Sequence, residues 1–113
     1  MVTAKGGTLP SMVFDEVDVG IGGAVAEVVG RLLRGLASDA QVLCVTHLAQ
    51  VASQGHRHLL VSKTSDKTAA WARLAALEDE QRTQEIARML GGVKLTERSL
   101  EHAREMLRDA EDA

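Results

Sequence analysis

Two short apolar runs, separated by one amphipathic stretch, constrain this chain more than anything else in it. Met12-Val13-Phe14 ends in Asp15-Glu16, and residues 41–46 carry Val42-Leu43-Cys44-Val45. Between them, Val25, Val28, Val29, Leu32, Leu33 and Leu36 recur at three- and four-residue spacing, with Glu27, Arg31 and Arg34 interleaved. Continuous apolar runs this short suit strands buried on both faces of a parallel sheet. The stretch between them has the periodicity of a helix with one apolar face, expected to rest on a core. Gly20, Gly22 and Gly23 break the chain before that helix, and Ala37-Ser38-Asp39 ends it. Strand, helix and strand at this spacing predict a βαβ unit with a right-handed crossover and parallel strands.

The remainder is organised around smaller signals. Residues 1–10 read as a loop, with Gly6, Gly7 and Pro10. A short helical stretch over residues 48–54 is closed by Gly55. Residues 58–63 and 68–74 predict an antiparallel hairpin around the polar turn Thr64-Ser65-Asp66-Lys67. Residues 78–90 predict a helix with Ile86, Met89 and Leu90 on one face, stopped by Gly91-Gly92. Thr96 caps a last helix, which has Glu97 in its first turn and Leu100, Ala103, Met106 and Leu107 on its apolar face. The expected fold is α/β, a single domain over residues 1–113. It has a small, mostly parallel sheet with flanking helices, a β-hairpin and two C-terminal helices.

Charge and composition exclude several roles. The net charge is -3, and there is one Trp, one Phe and no Tyr. That charge argues against a free-standing nucleic-acid binder, which would usually carry a basic face, and aromatic stacking platforms for single strands are missing. Cys44 is the only cysteine, so neither an internal disulfide nor a cysteine zinc cluster can form. Within its apolar run it reads as a small buried hydrophobe. No apolar run approaches the roughly 20 residues of a membrane span, and the start has no signal-peptide core. A cytoplasmic location without membrane attachment is expected.

The chemistry concentrates at the strand ends. An apolar strand ending in Asp15-Glu16 delivers two carboxylates to its C-terminal edge, where ligands bind in open α/β sheets. The first can hold Mg²⁺ against nucleotide phosphates, and the second can polarise an attacking water. Parallel strands end on the same edge, so His47, directly after the second run, belongs beside them as a donor to a terminal phosphate. Asp18 either joins this group or caps the following turn. His56 and His58 share a strand face but lack a third metal ligand, and they read as surface residues. Gln50 either approaches the nucleotide or, as the commoner case, is a polar helix-surface residue, and Trp71 reads as packing in the hairpin. Glu101, Arg104, Glu105 and Arg108 form a solvated helix face.

Three strings carry a family resemblance. Val-Phe-Asp-Glu-Val-Asp-Val-Gly-Ile-Gly-Gly, residues 13–23, resembles the Walker B segment of the RecN family of bacterial DNA-repair proteins. Val45-Thr46-His47-Leu48-Ala49-Gln50-Val51-Ala52 resembles its switch-histidine segment, and Ile86-Ala87-Arg88-Met89-Leu90-Gly91-Gly92 a stretch near its C-terminus. The likeness runs from about Thr8 to Met106. That family is similar to the SMC and ABC ATPases, whose heads bind ATP between two copies. The resemblance implies the C-terminal lobe of such a head, using ATP and Mg²⁺. In that reading Asp15 is the Mg²⁺-associated aspartate, Glu16 the catalytic glutamate and His47 the switch histidine.

It implies further that residues 18–23 touch a second head copy and that an N-terminal lobe completes the site. DNA is engaged through the full-length protein, in recombinational repair of double-strand breaks at the nucleoid. Gly22 departs from the wider ABC pattern, where an aspartate is common, which puts a carboxylate role for that loop in doubt. No Gly-x-x-x-x-Gly-Lys-Ser/Thr phosphate loop, Ser-Gly-Gly signature or coiled coil occurs. Gly91-Gly92-Val93-Lys94 follows a helix rather than a strand, with the wrong spacing. The chain is therefore expected to be a partial head, inactive alone. The rivals are a piece of another ABC/SMC-type ATPase and a non-catalytic module that pairs with a complete head.

Overall fold

The computed structural model describes residues 11–15, 22–91 and 94–112. Its elements in order are β1 (Ser11–Asp15), α1 (Gly23–Leu36), β2 (Gln41–Val45), α2 (Ala49–Ala52), β3 (His58–Ser65), β4 (Ala70–Leu77), α3 (Asp79–Met89) and α4 (Glu97–Asp112). β1 and β2 pair in parallel, from Ser11 opposite Gln41 to Asp15 opposite Val45, with α1 as the crossover. Side chains alternate across this pair. Met12, Phe14, Val42 and Cys44 share the half-buried face, while Val13, Leu43 and Val45 share the exposed one. Cys44 is thus only half-buried, not the enclosed thiol its apolar run implied.

The described strands form two separate two-stranded sheets, β1 with β2 in parallel and β3 with β4 antiparallel, so the small parallel sheet and the hairpin expected from the sequence are both present. The hairpin turn lies further along than expected. Asp66 accepts hydrogen bonds from the N–H groups of Thr68 and Ala69, both at 2.8 Å, and from the Thr68 hydroxyl at 2.9 Å. This Asx-type turn extends β3 to Ser65 and starts β4 at Ala70. The same three bonds hold the Asp66 carboxyl below its ordinary pKa. Trp71, expected to pack in the hairpin, is 43% exposed.

The core lies where α2, α3 and α4 meet. Ala49, Ile86, Ala87 and Ala103 are buried there, with Ala52, Met89, Leu90, Leu100, Met106 and Leu107 packed around them. Alanines let the three helices approach closely, and Ile86 fills the centre. The start of α4 is capped by Thr96, whose Oγ1 accepts from the Ser99 N–H at 3.0 Å while the Ser99 hydroxyl accepts from the Thr96 N–H at 2.9 Å. Arg104 reaches Glu80 across α3 and α4 at 3.3 Å, an exposed pair of little energetic weight.

The apolar face of α1 is wider than its cover. Ala26 and Gly30 are buried and Val29 and Leu33 half-buried. Val25, Val28, Leu32 and Leu36, the adjacent stripe, are 53%, 56%, 65% and 42% exposed. The expected single core-facing side is therefore only half covered. Among the described residues no helix is long and apolar enough to cross a membrane.

Candidate functional site

Asp15 is the last residue of β1 and is exposed. Its register partner, Val45, is the last residue of β2, and His47 follows two positions later, also exposed. Both residues therefore lie at the carboxyl end of the same parallel pair. The link from β2 to α2 is held locally. Thr46 Oγ1 accepts from the Leu48 N–H at 3.0 Å, and the Leu48 carbonyl accepts from Val51 and Ala52 at 3.1 and 3.0 Å. Ala49 and Val51, both buried, seat α2 against its neighbours. His47 thus stands between a strand end held by pairing with β1 and a helix start held by packing. Glu16 and Asp18 lie outside the described residues. Gly22 is the N-cap of α1, in extended conformation, and its carbonyl accepts from the Ala26 N–H at 2.9 Å.

Two clefts open elsewhere. One, of about 370 Å³, lies beside the start of α1 and is lined by Gly23, Gln50, Gln54, His102 and Met106, among others. Gln50 is therefore not a simple surface residue: its Nε2 would stand 3.2 Å from a Cβ on Gly23. The other, of about 560 Å³, gathers Arg34, Arg82, Arg104 and Arg108 with Asp79, Glu80 and Glu111. Neither cleft includes Asp15 or His47. The sequence marks Arg34 only as a charged position of α1 and Arg82 not at all, because their partners are backbone carbonyls that no spacing rule reveals.

His58 departs from its surface reading. It is half-buried, and its Nδ1 is buried without a hydrogen-bond partner. Burial, and then the neighbouring Arg82, push its pKa below the ordinary value, with Glu85 opposing. The folded chain thus favours neutral imidazole, while the unfolded chain takes up a proton first as pH falls. His58 contributes its full share of stability above the unfolded pKa near 6.5 and loses it as pH drops towards the lower folded value. Urea midpoints measured at about pH 7.5 and about pH 5 should therefore fall on acidification, and His58→Gln should reduce that fall. An equal fall in both proteins would remove His58 from the account. Among the described residues no three His, Cys, Asp or Glu side chains are placed to hold a metal ion.

Comparison with known proteins decides the relationship. The chain is 50% identical over 107 residues to the DNA repair protein RecN of Vibrio cholerae and 48% identical over 113 residues to that of Xylella fastidiosa. It is 49% identical over 105 residues to RecN of Deinococcus radiodurans. These matches cover 95%, 99% and 93% of this chain. The chain belongs to the RecN family. It spans 19%, 20% and 18% of the length of those three RecN proteins. No family model matches the sequence.

Proposed function

We propose that this chain is the Walker B and switch-histidine lobe, the C-terminal lobe, of the ATP-hydrolysing head of a RecN-type DNA-repair protein. The observation that carries the reading is the placement of Asp15 and His47 at one end of a parallel strand pair. Asp15 is exposed and makes no ion pair among the described residues, so its hard carboxylate oxygens suit Mg²⁺. Bound there, the metal supplies charge neutralisation between the nucleotide phosphates. Glu16, the next residue, is the base that orients water, and His47 donates to the terminal phosphate.

The phosphate loop comes from an N-terminal lobe, and a second head copy closes over the nucleotide. DNA is engaged by other parts of the full-length protein, in recombinational double-strand-break repair at the nucleoid. The open apolar surface supports an incomplete head. Parallel strands are ordinarily covered on both faces, yet Val13, Leu43 and Val45 are 62%, 51% and 47% exposed, and one stripe of α1 is bare as well.

The test is Mg²⁺-dependent ATP hydrolysis by the chain alone and by Vibrio cholerae RecN with this chain in place of its matching residues. The chain alone is expected to be inactive and the chimera active. Glu16→Gln in the chimera should lower kcat by roughly 10²–10⁴-fold. A folded but inactive chimera beside an active parent would refute the reading. Activity of the chain alone, abolished by Glu16→Gln, would show a working site without a second lobe.

A further inference from the structure

α2 has only four residues, far fewer than a helix needs to persist in water. Its last carbonyls, and those of the turn after it, have to find donors outside the helix. The Gly55 N–H reaches the Ala52 carbonyl at 3.3 Å, and two arginines from different helices supply the rest. Arg34 Nη1, on α1, donates to the Gln54 carbonyl at 2.6 Å. Arg82 Nη2, on α3, donates to the carbonyls of Gly55 at 2.5 Å and Ala52 at 3.2 Å, and approaches that of Ser53 at 3.5 Å. Four consecutive carbonyls, from Ala52 to Gly55, thus face two guanidinium groups.

This arrangement carries costs. The two cations are close enough that Arg34 adds to burial in lowering the pKa of Arg82. Arg82 Nε is buried with no acceptor. A helix end that faced water would need neither arginine. The same short helix begins immediately after His47 and Leu48. His47 and the clamped carbonyls therefore sit at opposite ends of one short helix.

We propose that Arg34 and Arg82 are positioning residues for His47, clamping the carbonyl end of α2 and so fixing the helix whose other end presents that histidine. The inference rests on reading His47 as the phosphate-facing residue of an ATPase site. A shift of α1 or α3 against α2 is then passed to His47, which ties hydrolysis to the seating of the flanking helices.

The experiment uses the Vibrio cholerae RecN chimera with Arg82→Met, Arg82→Lys, Arg34→Lys and His47→Ala. Arg82→Met should lower kcat for ATP roughly tenfold or more, as misplacement of a reacting group does, with KM changed less than about twofold. Arg82→Lys should rescue only in part, because all three contacts come from Nη2, at the far end of the arginine, which the shorter lysine side chain does not reach. In the isolated chain, Arg82→Met should shift the imidazole resonances of His47 but not those of His102, which lines the other cleft. Unchanged kcat and unmoved His47 resonances, with only a lower melting temperature, would overturn the proposal and leave a purely structural cap. If Arg82→Met does not fold, the two lysine variants decide by the same readouts. If His47→Ala retains full hydrolysis, the reading of His47 falls and the clamp's role with it. If His47→Ala is impaired and the arginine variants are not, the clamp alone falls.

Discussion

Ile86→Ala is expected to lower the stability of this chain by about 2–5 kcal/mol, measured by urea denaturation. Ile86 is the one large side chain that is fully buried among the described residues. Its buried neighbours at the centre are Ala49, Ala87 and Ala103, which are too small to move into the space it would leave. The loss therefore combines the missing transfer free energy with an unfilled cavity. Domains of this size hold a net stability of roughly 5–15 kcal/mol, so the variant should be unfolded or close to it near physiological temperature. Leu74→Ala is the control: Leu74 is 69% exposed, and its loss should cost less than about 0.5 kcal/mol. Equal effects in the two variants would mean that the core does not lie between α2, α3 and α4.

Gly30→Ala and Gly35→Ala should act in opposite directions although both positions lie within α1. A Cβ on Gly30 would stand 2.8 Å from Gln54 Cγ, 2.9 Å from the Gln50 carbonyl oxygen and 3.3 Å from Val51 Cα. Two of those three neighbours are backbone, so no side-chain rotation relieves them and α1 has to move off α2. Such overpacking costs about 1–3 kcal/mol, more than the ~1 kcal/mol that alanine gains over glycine inside a helix. A Cβ on Gly35 meets nothing within 4 Å, so there the helix preference acts alone and should stabilise by roughly 0.5–1 kcal/mol. Stabilisation by both substitutions would show that α1 does not rest on α2 as closely as described.

What the sequence disclosed followed from local rules. The βαβ unit was legible because its two apolar runs and the helix between them have different periods, and because carboxylates and a histidine end the runs. Thr96 announced the start of α4 through the same hydroxyl that now caps it. Asp15 and His47 were placed together by strand direction alone, since parallel strands must finish at the same end. Glu16 lies outside the described residues, so its position beside them still rests on its adjacency to Asp15.

The rest depended on partners far along the chain. Periodicity marked all six apolar positions of α1 alike, whereas packing covers Val29 and Leu33 and leaves Val25, Val28, Leu32 and Leu36 bare. The hairpin turn was set by the carboxylate of Asp66 rather than by the polar run as a whole. Arg82 looked like any charged residue on a helix, because the carbonyls it holds are 27 to 30 positions away.

That last bond has a further consequence, in the entropy of the chain. Arg82, near the start of α3, is tied to Gly55, just before β3, so the hairpin leaves and re-enters the helical body between two points already held together. For a flexible loop closed in this way, doubling the length adds only about 0.6 kcal/mol of closure cost. The stretch from β3 to β4 is therefore free to lengthen at its tip, residues 66–69, with little effect on the stability of the three-helix core.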